Sequence, residues 1–523
     1  MPESIRAARR PLWQDAYAPY SKDTMPTSIT VQFRTAPGRT HSRKLLMLVA
    51  AAGMALILSG CAAVVPQSTQ PVQVQTQLEI PSAWSASQVP PQATATSLAQ
   101  WWSRFDDPLL TAFVSRSLQA NTSITNAQAV LRQAQALRDG VAVGLLPTLD
   151  VSASAQRGKS GDNKSAGSYQ ASLNANWEPD FFGVNRSAVN ASDASVLASA
   201  ASLGDVQVAI AAEVALSYIT LRNAQMRLAI AEANLSSQLE TLQITQWRLQ
   251  AGLVSSLEVE QSRTSIEQTR AQLPLLQTSI EQSRHALALL TGQPPAALLT
   301  VLAAAAPVPQ AADNLILNFP AETLRQRPDV RAAEHQVTAA LAQLSQADAA
   351  RKPSFRLGGS LGLSALTLGA LTDGASLVSS LLAGVSLPLF DGGAAHANIR
   401  AEQAALEQAQ AAYRATVLSA LQEVEDALVA LRGDRERLQR LQQAAEAADN
   451  AALMARQRYE SGLVDFQVVL ETQRSLLSTQ DSVASTRADL AADHVRLYTA
   501  LGGGWSPDSL VIDIAETTRT DLK

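Results

Sequence analysis

The side chain most plainly placed for covalent chemistry is a thiol. Cys61 is the one cysteine in 523 residues, and it ends the tetrapeptide Leu58-Ser59-Gly60-Cys61. Arg39, Arg43 and Lys44 precede an apolar run from Leu45 to Leu58. A basic n-region, an apolar h-region and small residues before the cysteine make an export signal, and the run is too short to cross a bilayer comfortably. Its end resembles the bacterial lipobox. The implied chemistry is cleavage before Cys61 and acylation of it, with an S-diacylglycerol and an N-palmitoyl group. A buried lone thiol behind a signal anchor is the plainer alternative. Acyl chains contribute about 0.8 kcal/mol per buried CH₂, so several together anchor firmly. Ala62 follows the cysteine, and the absence of Asp there favours the outer membrane. The stretch before the signal is long for an n-region: either Met25 is the start, or a cytoplasmic extension precedes it.

No other reactive constellation stands out. His41, His285, His335, His396 and His494 are scattered, and no H-x-x-x-H, C-x-x-C, P-loop or G-x-S-x-G pattern occurs. The expectation is no enzyme, and no cofactor or metal beyond the lipid on Cys61. A net charge of −5 without a basic tract argues against nucleic acid. Aromatics are only 4%, Ala and Leu dominate, and Gln and Arg are common, as in proteins of long helices.

The elements around these residues are written twice. Gly252 and Gly462 lie 210 residues apart, as do Arg248 and Arg458, Leu221 and Leu431, Glu213 and Glu423, and Gly292 and Gly502. Nearer the start of each half the offset is 206: Ala127 and Ala333, Ala134 and Ala340, Pro147 and Pro353. Two registers separated by a four-residue indel identify an internal duplication. Each half opens with a helix, expected over 109–144 and 321–351, that ends at a proline.

The period then changes to two. Leu149, Val151, Ala153 and Ala155 alternate with Thr148, Asp150, Ser152 and Ser154; Tyr169, Ala171, Leu173, Ala175 and Trp177 alternate with Gln170, Ser172, Asn174 and Asn176. The second half repeats this with Phe355, Leu357, Leu361 and Leu363, then with Leu381, Ala383, Val385, Leu387 and Leu389. Strands of about ten residues, apolar on one face and polar on the other, suit a transmembrane β-barrel with a wet lumen. A soluble half-buried sheet has the same signature strand by strand; four strands in matched hairpins behind a lipid anchor favour the membrane. Four strands cannot close a barrel, and lipid tolerates no bare edge. The chain must therefore oligomerise.

Behind each strand pair runs a long helix. Asn185 to Ala251 would extend about 100 Å at 1.5 Å per residue. Val417, Leu421, Val424, Leu428 and Leu431 step by 4, 3, 4, 3, a coiled-coil seam. Gly252 and Gly462 then break the helices at Gly-Leu-Val, where glycine takes the left-handed position that ends a helix. Ser255-x-x-Glu258 reads as a capping box for the returning helix, and Asp465 as an N-cap. Each interruption is the tip of a helical hairpin.

With these elements in place the chain resembles the TolC-like outer membrane factors, in the acylated branch that serves tripartite efflux pumps. The similarity covers about 61–505 and rests on "WWSRFDDPLLTAFVSRSLQAN" (101–121), "RQRPDVRAAEHQV" (325–337), "VSLPLFDGG" (385–393), "RYESGLVDFQVVLETQRSLLSTQ" (458–480) and "YTALGGGW" (498–505). The resemblance implies an α+β membrane protein of duplicated helix, β-hairpin and long helical hairpin units. It implies a homotrimer, with a 12-stranded barrel in outer membrane lipid on an α-helical coiled-coil tube in the periplasm. It further implies a periplasmic adaptor and an inner-membrane RND-type transporter as partners, and passive export of drugs and toxic compounds.

The division that follows is 1–60, extension and signal; 61–108, lipid-anchored equatorial segment; 109–292, first repeat (strands 148–178, hairpin 185–291); 293–325, equatorial linker; 326–502, second repeat (strands 354–390, hairpin 393–501); and 503–523, equatorial tail. An exit duct for secreted protein (type I secretion) shares the fold, and a periplasmic coiled-coil scaffold that never spans a membrane is the rival from another class.

Residue by residue, the resemblance makes Glu471, nine past Gly462, an acidic gate position, and Tyr459 a latch tyrosine. A second acidic position of the family falls on Val468 and its latch arginine on Val464, with Arg458 close but not equivalent. Trp101 and Trp102 read as equatorial packing, and Arg327-Pro328-Asp329 as a helix start.

Overall fold

The computed structural model describes residues 80–85, 98–159, 166–312 and 320–506. The export signal and Cys61 lie outside the described residues, as do most of the segment around 61–108 and the end of the tail.

Helix α1 (Pro108–Ala120) starts where the Asp107 carboxylate accepts from the backbone of Leu109 and Leu110, both at 2.9 Å. Asn121 then interrupts the helix expected over 109–144. Its side-chain oxygen caps Ser123 N at 2.8 Å and so begins α2 (Thr122–Ala142), while its amide donates to Leu290 O at 2.9 Å. The second half breaks at the corresponding place: α5 (Pro320–Gln326) stops at Arg327, and α6 (Pro328–Ala349) starts on a proline whose missing N–H costs nothing at a first turn. One helix per half was expected; two short ones form, because a cap and a proline sit inside the periodic run.

Strands β1 (Thr148–Gly158), β2 (Ala166–Trp177), β3 (Ser354–Ala365) and β4 (Leu377–Ser386) make one antiparallel sheet in the order β1-β2-β3-β4. The register keeps the two faces apart. Val151 pairs with Leu173 and Leu173 with Leu361, while Ser152 pairs with Ser172 and Asn174 with Ser360. Side-chain hydrogen bonds knit the polar face, Asn174 to Asp150 at 3.0 Å and Ser360 with Ser380 at 2.8 Å. Apolar side chains on the other face are bare: Val151 is 78% and Leu381 81% exposed. β4 ends at Ser386, so Leu387 and Leu389, expected to continue its alternation, lie beyond the strand. Pro388 between them has no N–H to give to a ladder.

The long helices repeat to the residue. α3 (Val184–Gln250) and α7 (Ala394–Glu460) have 67 residues each, and α4 (Ser256–Leu290) and α8 (Phe466–Ala500) have 35 each. On α7, Val417, Val424 and Leu431 of the expected seam are buried, with Leu421 and Leu428 partly so. Where the long helices meet α1 and α2, Trp101, Phe105 and Tyr498 pack ring against ring at 5.8–6.2 Å. The Trp505 ring lies so close to α3 that a Cβ at Gly204 would stand 2.8 Å from it.

One acid is buried in this packing. Asp493 on α8 is 1% exposed and pairs with Arg496 at 2.6 Å. Burial pushes its carboxyl above the ordinary range, only partly offset by Arg496, and the Asp434 carboxyl beside it adds to the rise. The folded state therefore holds the proton more tightly than the unfolded one. This favourable linkage is present at low pH and is lost as pH rises through the folded value. Asp493→Asn removes the charge at similar shape. Its melting temperature is expected above wild type at pH 7–8, with the gap closing toward pH 4; pH-resolved thermal melts check this.

Candidate gate at the helical hairpin tips

Both tips turn the chain in the same way. Leu253 N donates to Arg248 O at 2.8 Å and Gly252 N to Leu249 O at 2.9 Å; in the second hairpin Leu463 N donates to Arg458 O at 2.8 Å and Gly462 N to Tyr459 O at 2.9 Å. Gly252 and Gly462 have φ of +71° and +75°, the left-handed conformation that closes helix carbonyls in this way.

The expected capping box does not form. Ser255 occupies the N-cap position of α4 but its hydroxyl makes no capping bond. Glu258, its assumed partner, reaches across to the other hairpin, where its carboxylate accepts from Tyr459 Oη at 3.1 Å. A phenol only 2% exposed needs an acceptor more than a solvated helix end does. Asp465 likewise stands at the N-cap of α8 with no side-chain capping bond.

Tyr459 is the centre of the tip. Its ring packs on Phe466 at 5.4 Å, with Val469 and Leu470 behind. The Arg248 guanidinium lies 4.5 Å from the ring centroid and donates to the Tyr459 carbonyl and, at 3.4 Å, to that of Glu460. Burial raises the Tyr459 phenol above its ordinary range, which keeps it a neutral donor to Glu258. The arginine in this contact is therefore Arg248, the repeat counterpart of Arg458. Arg458 is exposed, and no ion pair engages it among the described residues.

The contact continues along the hairpins at a fixed step. Arg248, Thr241, Asn234 and Arg227 on α3 are each seven residues apart. Thr241 accepts from Gln473 Nε2 at 2.9 Å, Asn234 donates to Gln480 at 2.8 Å, and Arg227 forks onto Asp481 at 2.6 and 3.0 Å. Polar side chains at heptad positions fix register at some expense of stability. A search for polar heptads, and not only apolar ones, finds this seam in the sequence.

Glu471 is exposed, on the side of α8 away from Phe466, Leu470 and Gln473, and Val468 is exposed beside it. The protomer thus places Tyr459 between its own two hairpins and leaves Glu471 and Arg458 outside them. Arg248→Ala removes charge-assisted hydrogen bonds worth about 1.5–3 kcal/mol each. It is expected to loosen the tip more than Arg458→Ser does, read as faster amide hydrogen exchange over residues 459–466.

One protein-family model, described as "Outer membrane efflux protein", matches residues 113–293 and 319–503. Nodulation protein T of Rhizobium leguminosarum bv. viciae is 31% identical over 467 residues, 89% of this chain and 94% of that protein. Solvent efflux pump outer membrane protein SrpC of Pseudomonas putida is 32% identical over 463 residues, 86% of this chain and 97% of its own. The solved structure of the outer-membrane channel OprN superposes with a TM-score of 0.77 at 35% identity, over 82% of this chain and 98% of that one.

Proposed function

We propose, for a chain that belongs to the outer membrane efflux protein family, a passive duct whose wall is built by three copies and whose periplasmic mouth is closed by the hairpin tips. The chain is an outer membrane efflux channel, the exit element of a tripartite pump. The observation that carries the trimer is the sheet. Its outer strands β1 and β4 each have one unpaired edge, and one apolar face is bare. Backbone edges in hydrocarbon must be paired, so β4 of one copy meets β1 of the next, and three sets of four strands give a lumen wide enough for small molecules. A relative named for solvent efflux supports small molecules as cargo. The energy comes from the pump.

The tips are the face offered to a periplasmic adaptor, through which an inner-membrane RND-type transporter is engaged. Leu253 and Leu463 stand 67% and 74% exposed on the two turns, apolar pegs with no partner in the protomer to cover them. At the other end, acylation of Cys61 with an N-palmitoyl and an S-diacylglycerol group fastens the chain start to the membrane. Cys61→Ser is expected to lose labelling by a radioactive fatty acid while the detergent-extracted protein keeps the mass of a trimer, because the barrel itself is an anchor. A stable monomer or dimer in wild-type extracts would overturn the assembly.

Threefold symmetry brings three Glu471 carboxylates toward the axis of the mouth, where a ring of negative charge favours cations. Tyr459 and its contacts hold the neighbouring helices in the closed arrangement. Glu471→Ala is expected to reduce cation selectivity, read as a shift of reversal potential under a salt gradient. An unchanged reversal potential would place Glu471 on the outer face of the tube.

A further inference from the structure

The duplication is broken at one point of the membrane boundary. Pro147 and Pro353 correspond, yet Leu145-Leu146 precedes the first and Arg351-Lys352 the second. Leu146 is 61% exposed, and Lys352 in its place is exposed too.

The surroundings of Lys352 are aromatic. Its Nζ lies 5.8 Å from the centroid of the Phe182 ring, and Phe355 at the start of β3 packs edge-on against Phe181 at 4.9 Å. Phe181 and Phe182 are themselves 63% and 41% exposed. Aromatic girdles flank the apolar band of outer membrane barrels, and this cluster stands where strands give way to helices, at the depth of lipid headgroups.

The acids of the flanking segments are already engaged, Asp391 by the backbone of Gly393 and Ala395 at 2.8 and 2.7 Å and three others by arginines. Glu178 accepts from Arg356 Nε at 2.9 Å, Asp180 pairs with Arg186 at 3.4 Å, and Asp348 faces Arg351 at 3.5 Å. No ion pair engages Lys352 among the described residues. An ammonium at the edge of hydrocarbon, with rings beneath it, calls for an anion that is lipid below and phosphate above.

We propose that Lys352, with Phe181, Phe182 and Phe355, binds the headgroup phosphate of an anionic phospholipid at the periplasmic edge of the barrel. This rests on the outer membrane channel reading. The aromatic cluster takes the glycerol and upper acyl chain, and the first repeat, with Leu146 in the corresponding place, has no such site. Each protomer thus contributes one basic and one apolar station, and lipid attachment is threefold where the barrel hairpins are pseudo-sixfold.

The test uses the full-length detergent-extracted protein, incubated with equal phosphatidylglycerol and phosphatidylcholine and read by native mass spectrometry for retained lipid. Wild type is expected to retain phosphatidylglycerol in preference, Lys352→Gln to lose that preference about fivefold, a single lysine's share of attraction to an anionic leaflet, and Lys352→Arg to keep it. Leu146→Lys is expected to add lipid. Displacement by millimolar inorganic phosphate would assign the site to a soluble anion and overturn the proposal. So would equal retention by wild type and Lys352→Gln. Conductance in planar bilayers is expected to persist in Lys352→Gln; wild type failing to conduct would instead strike the channel reading.

Discussion

The structure depends on α3 being held in register along most of its length. It packs against α1, α2, α4, α6 and α8, and so connects the strand region, the equatorial core and the tip. At the equatorial end the contact is apolar and aromatic, around Tyr218 and Leu221. Toward the tip it becomes the polar seam of Arg227, Asn234, Thr241 and Arg248. An apolar interface would tolerate a helix sliding by a turn. A hydrogen-bonded heptad does not, because a slip leaves buried donors and acceptors unpaired.

The chemistry of the contact thus changes along one helix, from apolar and aromatic at the equatorial end to polar at the tip. Close packing of rings around Trp101 and Tyr498 has one low-energy arrangement. At the last turn of the seam water reaches the bond from Arg248 to the Glu460 carbonyl, whereas the bond between Thr241 and Gln473 further up is buried and holds the register. The asymmetry of the two hairpins follows. Arg248 and Arg458 correspond in the duplication, but only Arg248 lies between the hairpins of its own protomer; Arg458 is left exposed on the outside.

The strand region obeys a different constraint. Its apolar face is bare and its two edges are open, which water penalises and which the proposed trimer in lipid would satisfy. The aromatic cluster of Phe181, Phe182 and Phe355 stands where the strands give way to the long helices, the level at which the proposed lipid site lies. Basic residues at that line are mostly paired with acids, and the duplicated plan is varied there through Lys352.

Much of this architecture was legible in the residues alone, because periodicity and duplication are local signals. Period two separates Val151 from Ser152 without any pairing, and the offset of 210 aligns helices whose lengths, 67 and 35 residues, are identical in the two halves. Gly252 and Gly462 announced the tips, since few other residues adopt their backbone angle. What the sequence could not settle were contests between partners. Ser255 and Glu258 have the spacing of a capping box, but Glu258 serves the buried phenol of Tyr459, which lies 201 residues away. Arg458 stands beside Tyr459 in the chain, yet the guanidinium on that ring belongs to Arg248. A local pattern states which bonds a side chain can make; only the packing of one hairpin on the other decides which buried group has the greater need, because desolvation exists only once the helices have met.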